Sequence, residues 1–257
     1  MRQPNGYRIM TLNINCLVNT NSRIGLVDVL RRNQPHVLFL QEVNIPQVEL
    51  QDLVDPLKYN CFTNSVENGR GTAILWMKCL NVRDSTAVVV NRIAAIELED
   101  YFIVNVYAHS GRAKRMERAE LFAQDLNPFL ASRDNKKIIL CGDFNSVLEN
   151  IDAVNNPQQK KSKELKSLVC SNKLVDSYRF FYPQLPGYTF IRNNAASRLD
   201  YIFVPESDKS KILEVNVVPV PSSDHVAVCV DLLLDKNSVA NKITHSLNYW
   251  KLNNETL

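Results

Sequence analysis

Short apolar runs alternate with segments of helical periodicity from Arg8 to Leu234, and this alternation restricts the chain to an α/β or mixed layered domain. The runs Arg8–Ile14, Val37–Leu40, Thr72–Met77, Thr86–Glu97, Tyr101–Tyr107 and Lys137–Cys141 read as strands. So do Tyr188–Arg192, Arg198–Val204, Leu213–Pro219 and Val226–Leu234. Between them, Ser22–Asn33 reads as a helix capped by Asn21 or Ser22 and closed by Pro35, because a residue before proline avoids helical angles. Pro46 opens a second helix. Arg112–Ala131 is the longest helical pattern, with Met116, Ala119, Phe122, Ala123 and Leu126 at core spacing. Ser162–Asn172 makes another, burying Leu165, Leu168 and Val169.

Two β-rich halves, each with helices between strands, predict two sheets packed face to face with helices outside. A doubly wound parallel sheet is excluded, since the seven glycines form neither G-x-G-x-x-G nor G-x-x-x-x-G-K. Residues 1–234 read as one domain. From Asp235 to Leu257 periodicity is lost and asparagine accumulates, as in a tail or linker toward a downstream region. No apolar run suits a membrane span. A net charge of +3 permits a nucleic-acid partner without demanding one. The six cysteines are scattered without a C-x-x-C pair, which suits reduced structural thiols better than a zinc site.

Apolar strands keep ending in polar residues that a structural strand end does not need. Arg8–Leu12 runs into Asn13, Val37–Leu40 into Gln41 and Glu42, and Phe102–Val106 into Tyr107. Ile138–Cys141 runs into Gly142, Asp143, Phe144 and Asn145, while Asp200 follows Arg198–Leu199 and Asp224–His225 stands ahead of a strand. Taken singly, each reads equally well as an ordinary strand end or turn cap. Together they hold the residue types of one chemistry, metal-assisted attack on a phosphodiester. Glu42, Asp224 and Asn13 offer oxygen ligands to a hard cation. Asp143, positioned by Asn145 or Asn13, can take a proton from water. His225 can donate where negative charge develops on phosphate, held in its charged form by Asp200, and Tyr107 adds a further donor.

The ordered segments TLNIN (Thr11–Asn15), LQE (Leu40–Glu42), NVYA (Asn105–Ala108), GDFN (Gly142–Asn145), SRLDYI (Ser197–Ile202) and SDH (Ser223–His225) resemble the endonuclease–exonuclease–phosphatase superfamily. That superfamily includes DNase I and the abasic-site repair endonucleases. The resemblance implies a four-layer α/β sandwich, two mixed β-sheets packed face to face with helices outside, and Mg²⁺-dependent cleavage, with Mn²⁺ as a substitute, leaving a 3′-hydroxyl and a 5′-phosphate. It carries functional positions onto Asn13, Glu42, Tyr107, Asp143, Asn145, Asp200, Asp224 and His225.

Within the superfamily the chain looks most like the endonuclease domain of a non-LTR (LINE-type) retrotransposon. LNIN is typical of those domains, and YWKLNN (Tyr249–Asn254) resembles the segment that comes after them, ahead of the reverse transcriptase. Repair endonucleases place a tryptophan before RLDY, where Ser197 stands here. The resemblance then implies a monomeric enzyme that nicks double-stranded DNA in the nucleus, passing through the cytoplasm during assembly. The nick primes reverse transcription by a polymerase in the same polypeptide. An abasic-site repair endonuclease, a lipid or inositol phosphatase and an inactive DNA-binding module are the alternatives.

DNA contacts are expected from Arg112, Lys114, Arg115 and Arg118, and from Lys160, Lys161, Lys163 and Lys166, unless these are only solvated helix faces. The segment Tyr188–Tyr201 reads as a hairpin with Asn193–Ala196 at its tip. Asn193, Asn194 and Ser197 are placed at DNA and Arg192 and Arg198 on flanking phosphates; an ordinary asparagine turn explains the same residues.

Overall fold

The computed structural model describes residues 6–66, 69–133, 135–154 and 161–233. The expected tail, the YWKLNN segment and Lys160 lie outside the described residues. In chain order the strands are β1 (Gly6–Asn13), β2 (Val37–Val43), β3 (Tyr59–Asn64), β4 (Gly71–Met77), β5 (Asp84–Val89), β6 (Ile93–Glu97), β7 (Tyr101–Tyr107) and β8 (Lys137–Asp143). They continue with β9 (Leu174–Asp176), β10 (Phe190–Arg192), β11 (Ala195–Ser197), β12 (Asp200–Pro205), β13 (Ile212–Val218) and β14 (Ala227–Leu233). The helices are α1 (Thr20–Asn33), α2 (Gln47–Val54), α3 (Arg115–Glu120), α4 (Asn127–Ala131), α5 (Lys163–Ser171) and α6 (Ser177–Phe181).

Two six-stranded mixed sheets form, in the orders β13-β14-β1-β2-β4-β3 and β5-β6-β7-β8-β12-β9. Ile9, Val37, Phe39 and Ile74 of the first pack against Ala94, Ile96, Ile103, Ile139 and Ile202 of the second. The outer face of the first sheet packs Leu12, Leu38 and Leu40 against Leu26, Leu30 and Leu50 of α1 and α2. Val104, Leu140 and Phe203 meet Phe122, Leu126, Leu165 and Leu168 on the far side. Four layers result. Strands such as β2 are apolar on both faces because both faces are covered, and each buried Leu or Phe contributes about 1.5–3 kcal/mol.

Three local expectations need correction. Helix α1 starts earlier, because Asn19 caps it by accepting from the backbone N–H groups of Asn21 and Ser22. Thr86–Glu97 is a hairpin of β5 and β6 rather than one strand. In Arg112–Ala131 a π-helical stretch, Leu121–Leu126, joins α3 to α4. Its wider turn resets which side chains face inward, so Leu121 is buried while Ala123 and Met116 face solvent.

Candidate active site

Topology gathers the polar strand ends at one edge. The two parallel pairs, β1–β2 and β7–β8, finish there together, with Asn13 beside Gln41 and Tyr107 beside Asp143. Strands β12 and β14 run the other way and begin there, so Asp200 pairs with Asp143 and His225 lies just ahead of β14. Beneath this edge a buried amide pair ties the sheets together. Gln41 donates to Asn105 at 2.7 Å and to Thr11 at 3.0 Å, while Asn105 donates to the carbonyls of Leu40 and Ala73. Such a pair is tolerated in a core only because its donors are met.

Gly142 brings Asp143 against the neighbouring strand. Its φ is +135°, and a Cβ would lie 2.0 Å from the Val106 carbonyl oxygen, so no other residue fits. Two non-glycine residues of this edge also hold left-handed angles, Glu42 at φ 59° and Asn145 at φ 47°. Backbone strain of this sort persists where surrounding bonds over-determine it.

Those bonds are present. Asn13 donates from one amide nitrogen to both Glu42 and Asp143, each at 3.1 Å, and so bridges the sheets. Its amide oxygen accepts from the Asn15 N–H. Asn145 donates to Asp143 from its backbone at 2.9 Å and from its side chain at 3.1 Å. Tyr107 donates to Glu42 at 3.1 Å, and Arg70 pairs with the other Glu42 oxygen. His225 Nδ1 lies 2.8 Å from Asp200 Oδ2, again across the two sheets.

Burial raises the Asp143 carboxyl to about 7, with the Asp200 carboxylate adding to the rise and His225 and the Asn145 and Asn13 bonds opposing it. For His225, burial works against the charged ring, yet Asp200, Asp143 and Asp224 outweigh it and push the imidazole up to about 10. Burial and the carboxylates of Glu42 and Asp143 push the Tyr107 phenol well up, so it stays a donor. Near neutral pH the edge thus presents an ionisable carboxyl poised to take a proton beside an imidazolium able to give one.

A hard cation suits the donor set. Glu42, Asp143, Asp200 and Asp224 gather at this edge with His225, Arg70 and the buried Arg118 as positive neighbours, and the sulfur of Cys16 instead accepts from Asn44. Asp200 Oδ1 is buried and has no hydrogen-bond partner among the described residues. Asp143, Asp200 and His225 offer ligand atoms within 4.8 Å of one another. A protonated imidazole paired to Asp200 cannot ligate, however, so we read that trio as a proton-handling group. Of the residues expected to hold a cation, Glu42 has its oxygens engaged by Asn13, Tyr107 and Arg70, Asp224 is half-buried directly before His225, and the Asn13 amide oxygen accepts from Asn15.

The sequence model of the Endonuclease/Exonuclease/phosphatase family matches residues 10–225. The chain belongs to that family. It is 28% identical over 250 residues to an exodeoxyribonuclease of Bacillus subtilis (strain 168), covering 86% of this chain and 97% of that one. It is 28% identical over 263 residues to a DNA-(apurinic or apyrimidinic site) endonuclease of Dictyostelium discoideum, covering 90% and 72% respectively. A 3′ phosphatase from Neisseria bound to product DNA hairpin superposes with TM-score 0.77 at 22% identity, covering 88% of this chain and 99% of that chain. An AP endonuclease from Archaeoglobus fulgidus gives TM-score 0.75 at 16% identity, covering 89% and 100%. The family member described here is a metal-dependent nuclease with the fold of those structures.

Several expected DNA contacts are corrected. Arg198 is 1% exposed and cannot reach a phosphate: it pairs with Asp152 at 2.9 Å and Asp176 at 2.7 Å and lies over the Tyr201 ring. Ser197 is fully buried, so its side chain does not present itself to DNA. Arg118 is buried as well, bonded to Ser146 and to the carbonyls of His109 and Gly111. The buried Asp152, the half-buried Asp176 and a loop of carbonyls claim these guanidinium groups first. Arg112, Arg115, Arg192, Asn193 and Asn194 are exposed.

The hairpin is shorter than expected. Strand β10 pairs with β11 around Asn193–Asn194 alone, Asn193 supplying the left-handed angle at φ 52°; Ala195 and Ala196 belong to the return strand. The Arg198–Val204 segment instead carries β12, which pairs with β8. Three residues of the edge were missed from sequence: Arg70, Thr189 and Ser223, whose hydroxyl donates to the Asn13 carbonyl at 2.7 Å.

Proposed function

We propose that this chain nicks one strand of double-stranded DNA with Mg²⁺, or Mn²⁺ in its place, as the endonuclease of a non-LTR retrotransposon. Asp143, held by Asn13 and Asn145, takes the proton of the attacking water. The protonated His225, fixed by Asp200, donates to the phosphate oxygen on which charge builds, and Tyr107 supplies a second donor from the same edge. Glu42 and Asp224 hold the cation, which neutralises phosphate charge when bound. The products are a 3′-hydroxyl and a 5′-phosphate. In the full-length protein the 3′-hydroxyl primes a reverse transcriptase carried downstream, acting in the nucleus after assembly in the cytoplasm, with the nuclease as a monomer.

One observation carries the target-nicking reading over repair. Ser197, small and buried at the end of β11, just before the strand that bears Asp200, provides no aromatic wall for an extruded sugar. Exposed Asn193 and Asn194 stand at the hairpin tip, small enough for a minor groove, with Arg112, Arg115 and Arg192 on phosphates. A second reading, abasic-site repair, is favoured by the name of the Dictyostelium relative and by Phe190, whose ring lies 5.1 Å from His225 and offers apolar contact to a baseless sugar.

The test is nicking of supercoiled plasmid, then extension of the nicks with a DNA polymerase. Nicks that extend without prior trimming confirm 3′-hydroxyl ends. Relaxed product that fails to extend, or no product in Mg²⁺ or Mn²⁺, overturns the reading.

A further inference from the structure

Strand β12 lacks a ladder partner on one side of its first residues. Its neighbour β8 satisfies the other side, but β9 reaches only to Phe203, so among the described residues no strand accepts from the N–H groups of Leu199 and Asp200. A single side chain fills that gap. The hydroxyl oxygen of Thr189 accepts from the Leu199 N–H at 2.9 Å and from the Asp200 N–H at 3.1 Å. Thr189 is fully buried.

The rest of Thr189 is engaged with the other half of the proton-donating pair. Its carbonyl accepts from the Val226 N–H at 2.8 Å, directly after His225, and its own N–H donates to the Ser197 carbonyl at 3.0 Å. The next residue, Phe190, bridges to His225 through the backbone and lays its ring beside the imidazole. One residue therefore fixes the distance between the strand that bears Asp200 and the loop that bears His225, which come from different sheets.

We propose that Thr189 is a positioning residue for catalysis: its hydroxyl sets Asp200 against His225, so that the imidazolium meets the phosphate in register. This rests on the nuclease reading above, in which His225 is the proton donor. A hydroxyl is needed because it can accept two hydrogen bonds at one point, where an apolar isostere leaves both buried N–H groups unpaired. The strand start then moves, and a misplacement of about 1 Å at a reacting group costs about 10²-fold in rate.

The experiment compares Thr189→Val, which keeps the shape without the acceptor, and the pair Thr189→Ser and Thr189→Cys, which differ in the acceptor atom alone. DNA nicking is measured as kcat and KM, and the Nδ1 proton of His225 is followed by NMR in each protein. The serine variant is expected within about threefold of wild type, and the valine variant about 10- to 100-fold down in kcat with KM little changed. Cysteine should fall with valine, which keeps the comparison decisive if valine does not fold. In the variants that lose activity the Nδ1 proton resonance should shift or broaden as the bond to Asp200 loosens. Folded valine or cysteine variants with wild-type kcat and an unmoved resonance overturn the proposal. A wild-type protein that shows the resonance but no nicking faults the nuclease reading instead, and the resonance alone still decides whether Thr189 holds the pair.

Discussion

Replacing Asp200 with asparagine keeps the volume of the side chain and deletes its charge, and the surroundings of His225 set the size of the effect. Asp200 is 1% exposed and 2.8 Å from His225 Nδ1. In the intact site its carboxylate is the first of the groups that overcome burial and push the imidazole up to about 10. Without it the imidazole loses its largest support against burial and falls toward the ordinary histidine value, with Asp143 and Asp224 still favouring the charged ring. At the ordinary histidine value about one molecule in ten carries a protonated His225 at pH 7.5, which corresponds to a loss of about tenfold. If the neutral ring gives no useful donor at all, the loss approaches the roughly 10²–10³-fold seen when one oxyanion-type donor is removed.

The pH profile is the sharper readout. Activity needs Asp143 ionised and His225 protonated, so it rises as pH climbs through the first and is lost as pH climbs through the second. For the metal-free site those limits lie at about 7 and about 10. A bound cation moves the lower limit further down. Deleting the Asp200 charge lowers both limits, because that charge also raises Asp143. The assay is plasmid nicking from pH 5 to 10.5 at saturating Mg²⁺. An Asp200→Asn protein with an unmoved profile and a rate within about threefold of wild type at pH 7.5 would refute these roles for the pair.

Asp143→Asn should abolish nicking, and because the Asp143 carboxyl is raised on folding to about 7, the wild-type unfolding midpoint should fall as pH rises from about 6 to about 9, with a smaller fall in the variant. A fall of equal size in both proteins would mean that burial of this charge is not a cost. Glu42→Ala should raise the Mg²⁺ needed for half-maximal activity by at least about tenfold, and an unchanged titration removes Glu42 from the cation site. Arg198→Ala leaves Asp176 without its buried partner and Asp152 with Arg179 alone, and should cost about 3 kcal/mol in denaturant unfolding. Its salt dependence of DNA binding should not change; a slope reduced by about one would mean that Arg198 touches phosphate after all.

The layered fold and the edge where the site lies were legible in the sequence because both arise from local signals. β7 is bounded at Tyr101 and Tyr107 as its apolar pattern dictates, and the buried face of α5 falls on Leu165, Leu168 and Val169. Strand ends were harder. β2 runs past Glu42, which bulges out of the ladder between Gln41 and Val43, while β8 continues through Asp143, which stays paired with Tyr107 and Asp200. Side-chain destinations were not legible at all where a distant partner decides them. Arg198 looks like any exposed cation beside a hairpin until Asp152 and Asp176, far away in sequence, close around it. Thr189 reads as a strand residue, and only the early end of β9 makes its hydroxyl an acceptor for two N–H groups. The hairpin was misjudged because Ala195–Ser197 carries little strand propensity and pairs by register with Phe190–Arg192.

The central claim is that this edge cuts intact duplex DNA rather than damaged DNA. The direct measurement is a side-by-side time course on two end-labelled duplexes of the same sequence, one intact and one with a single abasic site, in Mg²⁺ and in a chelator. Mg²⁺-dependent nicking of the intact duplex is expected, with the abasic position cut no faster than the best intact site. Cleavage at the abasic site tens of fold faster than anywhere in the intact duplex, on the order of 10²-fold or more, would contradict the claim and make repair the function of the site.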